Sequence, residues 1–186
     1  MTWPIETIGD LAAGCERIRA HRYGVIETAG GELRSVQLRP WPKLLAAPEL
    51  LPMGPKYHSR GKADRCLLYY NQPRQTPHFL ALKYIVTTFG TSFRTFRAAL
   101  TALDAIAEIK RIDAIVCDAA NIRLSDRVMA RLGWEPHKPQ RWHRNFIRRF
   151  YGEYPSRGGE LEVLAKPQAA WEAESFDGEC VAALSR

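Results

Sequence analysis

The chain has 186 residues, 46% of them hydrophobic and 25% charged, which suits one domain with a sizeable core and excludes a globally disordered protein. No apolar run reaches the roughly 18–20 residues that span a bilayer, and Met1-Thr2-Trp3-Pro4-Ile5-Glu6 lacks the basic start of a leader, so a cytoplasmic protein without a membrane partner is expected. The net charge of +7 is unevenly spread: residues 1–152 hold 24 Lys/Arg against 13 Asp/Glu, and residues 153–186 hold 3 against 7. A basic body attracts polyanions, whether a phosphorylated cofactor, an acidic carrier protein or nucleic acid. Residues 1–165 read as one domain and 166–186 as an acidic tail.

In chain order, residues 6–22 carry Ile8, Leu11, Cys15 and Ile18 at helical spacing, with Arg17, Arg19 and Arg22 toward the end where the helix dipole favours cations. A helix is predicted there, weakened by Gly9 and Gly14. Tyr23 to Thr28 and Leu33 to Leu38 are β-type runs about Ala29-Gly30-Gly31-Glu32, which predicts a hairpin. Five prolines between Pro40 and Pro55 break residues 39–64 into irregular chain, with a basic loop over Lys56 to Lys62. Cys66 to Tyr70 is a short strand, and His78 to Val86 has the β-branched and aromatic bias of a central one.

Thr91 or Ser92 is placed to cap the next helix, where Phe93, Phe96, Leu100, Leu103 and Ala107 form one apolar stripe ending near Lys110. Ile112 to Cys117 is a buried strand. Leu124 to Leu132 is a second helix, stopped by Gly133. A hairpin is expected from Asn145 to Tyr151 and Glu160 to Leu164, and the tail beyond Lys166 is expected to dock loosely. Cys15, Cys66, Cys117 and Cys180 show no zinc-site spacing and read as reduced, small hydrophobes, and His137 and His143 suggest no metal either.

The order strand 78–86, helix 93–110, strand 112–117, Asn121, helix 124–132, Gly133-Trp134, strand resembles the core of the GNAT family of N-acetyltransferases. It covers about residues 78–151. The resemblance implies an α/β (α+β) fold, with a mixed, mostly antiparallel, twisted sheet flanked by helices. It also implies two strands that splay apart to admit the pantetheine arm of acyl-CoA. Its site residues would be Asn121 after the second of those strands and a backbone N–H near Ile85 or Val86 for the thioester carbonyl. Gly90, Thr91 and Ser92 would hold the pyrophosphate at the helix N-terminus. Where the family has a glycine-rich loop this chain has Gly90 alone, with Arg94 and Phe96 at positions of small residues. Where the family often has a proton-donating Tyr it has Met129 or Val128.

Asp118, at the end of its strand, is the candidate base acting through a water, or else a loop Asp making an Asx-turn or helix cap. Tyr84 is the candidate substitute acid, or a core aromatic. Cys117 would be a nucleophile only with a lowered pKa. Arg94 and Arg97 sit in the first turns of a helix, where cations are unfavourable unless an anion is also present. That placement points to a phosphate-bearing ligand, with Arg94 replacing glycine contacts, or to an exposed surface. The segment Arg131, Lys138, Arg141, His143, Arg144, Arg148, Arg149, interleaved with aromatics, is a solvated face, an anion site or a nucleic-acid grip. The readings are an acyl-CoA- or acyl-carrier-dependent N-acyltransferase, a non-catalytic relative, and a nucleic-acid-binding module.

Overall fold

The computed structural model describes residues 5–41, 64–88, 90–119, 125–138, 144–155 and the backbone of 181–183. The predicted basic loop over Lys56 to Lys62, Asn121 and the strand expected at Glu160 to Leu164 lie outside the described residues.

Among the described residues nine strands form one sheet: β1 (Glu6–Ile8), β2 (Tyr23–Ala29), β3 (Glu32–Arg39), β4 (Arg65–Asn71), β5 (Phe79–Thr87), β6 (Ala114–Asp118), β7 (Glu135–Pro136), β8 (Asn145–Arg149) and β9 (Val181–Ala183). The order is β1-β3-β2-β4-β5-β6-β8-β7, with β9 added on β5. Among the described strands every pair is antiparallel except β5–β6. The helices are α1 (Cys15–Ala20), α2 (Phe93–Lys110) and α3 (Asp126–Arg131). This is a mixed α+β fold, a mostly antiparallel sheet flanked by helices.

The first predicted helix is corrected. Glu6 to Ile8 pair with β3, and helix begins at Cys15. Asp10 causes the break, its carboxylate accepting from the Ala12 N–H at 2.8 Å while its carbonyl takes the Gly14 N–H at 3.1 Å. A short polar side chain thereby offers the backbone a turn in place of a helix. Gly14 lies against Ile8, where a Cβ would sit 2.6 Å from the isoleucine Cγ2.

The β2–β3 hairpin turns on Gly30 and Gly31, at φ 62° and 80°, as their sequence predicts. The 93–110 helix forms over those residues. Its stripe of Phe96, Ala99, Leu100, Leu103 and Ile106 is buried on the sheet with Ile26, Val36, Leu68, Leu80 and Ile115. Its last turn is tied down by Lys110, which donates to the His21 carbonyl at 2.7 Å and to Gln72 Oε1 at 2.9 Å. Burial and then the Arg22 charge bring that ammonium down to about 8. Ile112 to Cys117 becomes β6, and Asn145 to Tyr151 shortens to β8, which pairs with β6 and β7.

Gly24 of β2 is required by packing. A Cβ there would lie 2.5 Å from the Tyr70 ring carbon Cζ and its hydroxyl, and that ring is wholly buried. Gly24→Ala is therefore expected to cost about 1–3 kcal/mol, the usual penalty of overpacking. Urea unfolding should show a lower midpoint with an unchanged slope; an unchanged midpoint would show that the ring can move aside.

Candidate active site

The site begins with a fault in β5. Tyr69 faces Tyr84 and Tyr70 faces Leu82, so Lys83 is one residue more than β4 can match. A bulge of this kind bends its strand and ends pairing. The β5–β6 ladder runs from Phe79–Ala114 to Leu82–Cys117 and stops at that point. Beyond it β5 turns to β9, with Tyr84, Ile85 and Val86 opposite Ala183, Ala182 and Val181. Pairing between the two strands ends there, one residue before β6 itself ends at Asp118, and the tail expected to dock loosely contributes a strand on β5.

A cleft of about 470 Å³ lies between α2 and α3. One stripe of α2 forms its wall, Phe93, Arg97, Leu100, Thr101 and Asp104, and α3 and the turn after it form the other with Val128, Arg131 and Leu132. Arg148 closes the base, binding Asp104 Oδ2 at 2.8 Å and donating to the Leu132 carbonyl. Asp104 is 7% exposed and Arg148 14%, so this is a buried pair that joins β8, α2 and the end of α3.

Leu100 and Leu132 also line a second, apolar pocket of about 20 Å³ with Leu82, Ile85, Cys117, Asp118, Met129 and Trp134. Gly133 adopts φ 79°, and the Trp134 N–H returns to the Met129 carbonyl at 2.9 Å, turning the indole under the pocket. Asp118 belongs to the lining of this second pocket. Cys117 beside it is pushed up to about 12, by burial first and the Asp118 charge second, which removes it as a thiolate nucleophile.

Tyr84 lies elsewhere. Its ring packs edge-on against Tyr69 at 6.2 Å, and it lines a separate depression with Tyr23, Arg39 and Lys83. The proposed acid and base are not brought together. The position at which the family has a proton-donating Tyr is buried Met129, with Val128 in the cleft wall.

The anion that the sequence calls for at the N-terminus of α2 belongs to the chain itself. Asp64 Oδ1 accepts from the Ser92 N–H at 2.8 Å, and its Oδ2 accepts from the Ser92 hydroxyl at 2.7 Å and the Thr95 hydroxyl at 2.6 Å. Ser92 in turn caps the helix, accepting from the Thr95 N–H. Burial pushes the Asp64 carboxyl up, but the bonds from Thr95 and Ser92 and the Arg94 charge outweigh it and hold the pKa below the ordinary 3.8. Arg94 lies over Gly31, where a Cβ would meet its Nε at 2.4 Å. Thr91 donates to the Arg65 and Thr88 carbonyls at 2.8 Å each. Gly90, at φ 81°, serves as a turn. Thr91, Ser92 and Arg94 are therefore engaged in holding the loop, whereas Arg97 faces the cleft. Sequence reading missed Asp64, which lies 28 residues from its partner Ser92.

Of the basic segment, Arg144 pairs with Asp126, Arg148 with Asp104 and Arg149 with Glu135, which lowers the charge this face offers a polyanion. Arg141 and His143 lie outside the described residues. Among the described residues no His/Cys/Asp/Glu cluster could hold a metal ion, and no helix is long and apolar enough to cross a membrane.

No protein-family model matches the sequence, and no curated protein matches it. Among solved structures the chain is similar to a nourseothricin acetyltransferase seen in a crystal structure, with a TM-score of 0.40 and 14% identity over 77% of this chain and 97% of that one.

Two outcomes follow from this geometry. Asp64 has a lowered folded pKa, so its stabilisation is full above the unfolded value near 3.8 and is lost as pH falls through the folded one. Wild type should exceed Asp64→Asn in stability by about 1 kcal/mol at neutral pH. The gap should close in urea titrations below pH ~4, and a pH-independent gap would contradict it. Arg148→Met, which strands Asp104, should cost about 3–5 kcal/mol, and the double change Asp104→Leu with Arg148→Met should recover most of it. Equal losses in both proteins would show that the pair is not what holds the cleft.

Proposed function

We propose that the protein is an N-acyltransferase that takes a short acyl group from a pantetheine thioester and passes it to an amine. The observation that carries this reading is the cleft between α2 and α3, with Arg97 and Arg131 in its lining, beside an apolar pocket that shares Leu100 and Leu132 with it and includes Leu82, Ile85 and Asp118. The cleft suits a pantetheine arm, Arg97 and Arg131 suit its phosphate, and the small apolar pocket beside it suits a short acyl group. In the reaction the amine nitrogen bonds to the thioester carbon and the C–S bond breaks. Asp118, directly or through a water, accepts the amine's proton. The sulfur leaves as a thiolate that solvent protonates, since Met129 and Cys117 supply no acid. The backbone of Ile85 and Val86 is engaged by β9, so a donor lying along β5 displaces that strand.

A non-catalytic role in recognising the same ligands is the second reading, favoured by Met129 at the position of an acid. The third, nucleic-acid binding, predicts affinity that falls steeply with salt.

Thermal unfolding with millimolar acetyl-pantetheine, acetyl-CoA and a longer acyl-CoA is the direct test. Saturation at about a hundred times Kd adds roughly 2.7 kcal/mol and raises Tm by several degrees. Acetyl donors should exceed the longer chain. Arg97→Ala and Arg131→Ala should each weaken binding about tenfold, the loss of one charge-assisted contact. Asp118→Asn should lower kcat by about 10²–10⁴ and leave donor affinity unchanged, with thiol blockers harmless. Ala182→Pro, which disturbs β9, should tighten donor binding. Binding without turnover for any amine would select the recognition reading, and no shift with any thioester would end both.

A further inference from the structure

The cleft reaches Phe93, the first residue of α2, and the N-terminus of that helix is the natural place for an anion beside it. That place is taken. Asp64 receives the Ser92 N–H and both the Ser92 and Thr95 hydroxyls within 2.6–2.8 Å, and Arg94 supplies it with a counter-charge. Thr95 is itself fully buried and also receives the Gly31 N–H at 2.7 Å, so the carboxylate is joined to the β2–β3 hairpin as well as to the helix. The Gly30 N–H bonds the Asp64 carbonyl at 3.0 Å and fixes the backbone.

We infer that Asp64 determines donor specificity: it is the resident anion of the α2 N-terminus, and it limits recognition to the acyl-phosphopantetheine arm, excluding any gain from a diphosphate. The inference rests on the acyl-donor reading above. A second phosphoryl group brought to this helix end would meet a carboxylate at close range, and like charges there repel instead of adding affinity. One phosphate can still face Arg97 and Arg131, which line the cleft. The donor is then defined by its thioester arm with a single phosphate, whether that arm is free or borne by a carrier protein. Asp64 touches no reacting atom and acts by occupying a site.

The test is calorimetric binding of acetyl-pantetheine, acetyl-phosphopantetheine and acetyl-CoA to the full chain and to Asp64→Asn, with an acetylated acyl carrier protein as a further arm. Wild type is expected to bind the phosphopantetheine arm several-fold more tightly than acetyl-pantetheine, and acetyl-CoA no more than about threefold more tightly than the phosphopantetheine arm. Asp64→Asn is expected to tighten acetyl-CoA about tenfold and acetyl-phosphopantetheine little. Tighter binding of the carrier than of the free arm identifies a carrier as the source, and equal binding a free thioester; both fit the inference. Wild type favouring acetyl-CoA tenfold or more over acetyl-phosphopantetheine overturns it, as does an acetyl-CoA affinity that Asp64→Asn leaves unchanged. Should Asp64→Asn fail to fold, the wild-type ranking decides alone. Failure of every thioester to bind either protein overturns the acyl-donor reading and this inference together.

Discussion

Between Tyr69 and Tyr70 of β4 the facing strand takes two steps instead of one, and Lys83 is the residue left over. Everything that resembles a binding site is arranged around that excess. Before it, Leu80 and Leu82 point into the core beneath α2; after it the alternation shifts, and Ile85 and Thr87 are the buried residues. The parallel ladder to β6 ends at the same place, at Leu82 and Cys117, one residue before β6 itself ends. A gap in a sheet exposes backbone groups that need partners. The chain supplies one in β9, and a ligand would supply another. Beyond the bulge, β9 takes the pairing edge of β5 that β6 leaves.

Two carboxylates hold this opening in shape, and they do so in different ways. Asp104 is buried and joined to Arg148, whose guanidinium also donates to the Leu132 carbonyl at the end of α3 and lies 5.9 Å from the centre of the Phe150 ring. Burying both charges is unfavourable unless their remaining bonds are satisfied, and here strand, helix and turn all contribute. Asp64 is more exposed and acts through the end of α2. Its anion balances the helix dipole and the Arg94 charge, a balance an incoming phosphate would otherwise provide. The positive charge of the body is thus partly spent inside the fold, and the ion pairs of Arg144 and Arg149 spend more of it.

Much of the fold was legible because local rules and tertiary packing agree. The stripe from Phe93 to Ala107 could face nothing but a sheet, Gly30-Gly31 could make only a tight turn, and Gly133 stops the short helix before Trp134. The first helix was misread because helical spacing of Ile8, Leu11, Cys15 and Ile18 also occurs when Ile8 is in a strand and Asp10 turns the chain. The resemblance implied a parting of β5 and β6, and their pairing ends at Leu82 and Cys117. The bulge in β5 has no composition signature, since a single lysine between Leu82 and Tyr84 reads equally well as an ordinary strand residue. Asp64 was invisible for a related reason: a carboxylate 28 residues from the helix it serves obeys no periodicity. Charge alone gave a sign of it. Arg94 and Arg97 at a helix N-terminus pointed to an anion or to an exposed surface, and the sequence could not say that the protein provides an anion of its own.

The chemistry available at the apolar pocket follows from what burial does to each group there. Cys117 is buried next to Asp118, and both the apolar surroundings and the neighbouring charge resist its ionisation, so a covalent acyl-enzyme through sulfur is disfavoured. Met129 and Trp134 fill the floor and offer no proton to a leaving group at the sulfur. What remains is a carboxylate in the lining of a small apolar pocket. Such a group can accept the amine's proton once the nitrogen has begun to bond to the thioester carbon and has become acidic. A leaving thiol, by contrast, is acidic enough to depart without help more readily than an alkoxide would. On the acyl-transfer reading proposed above, such a site asks for a good leaving group and an amine that loses its proton to the carboxylate, and a thioester supplies the first of these.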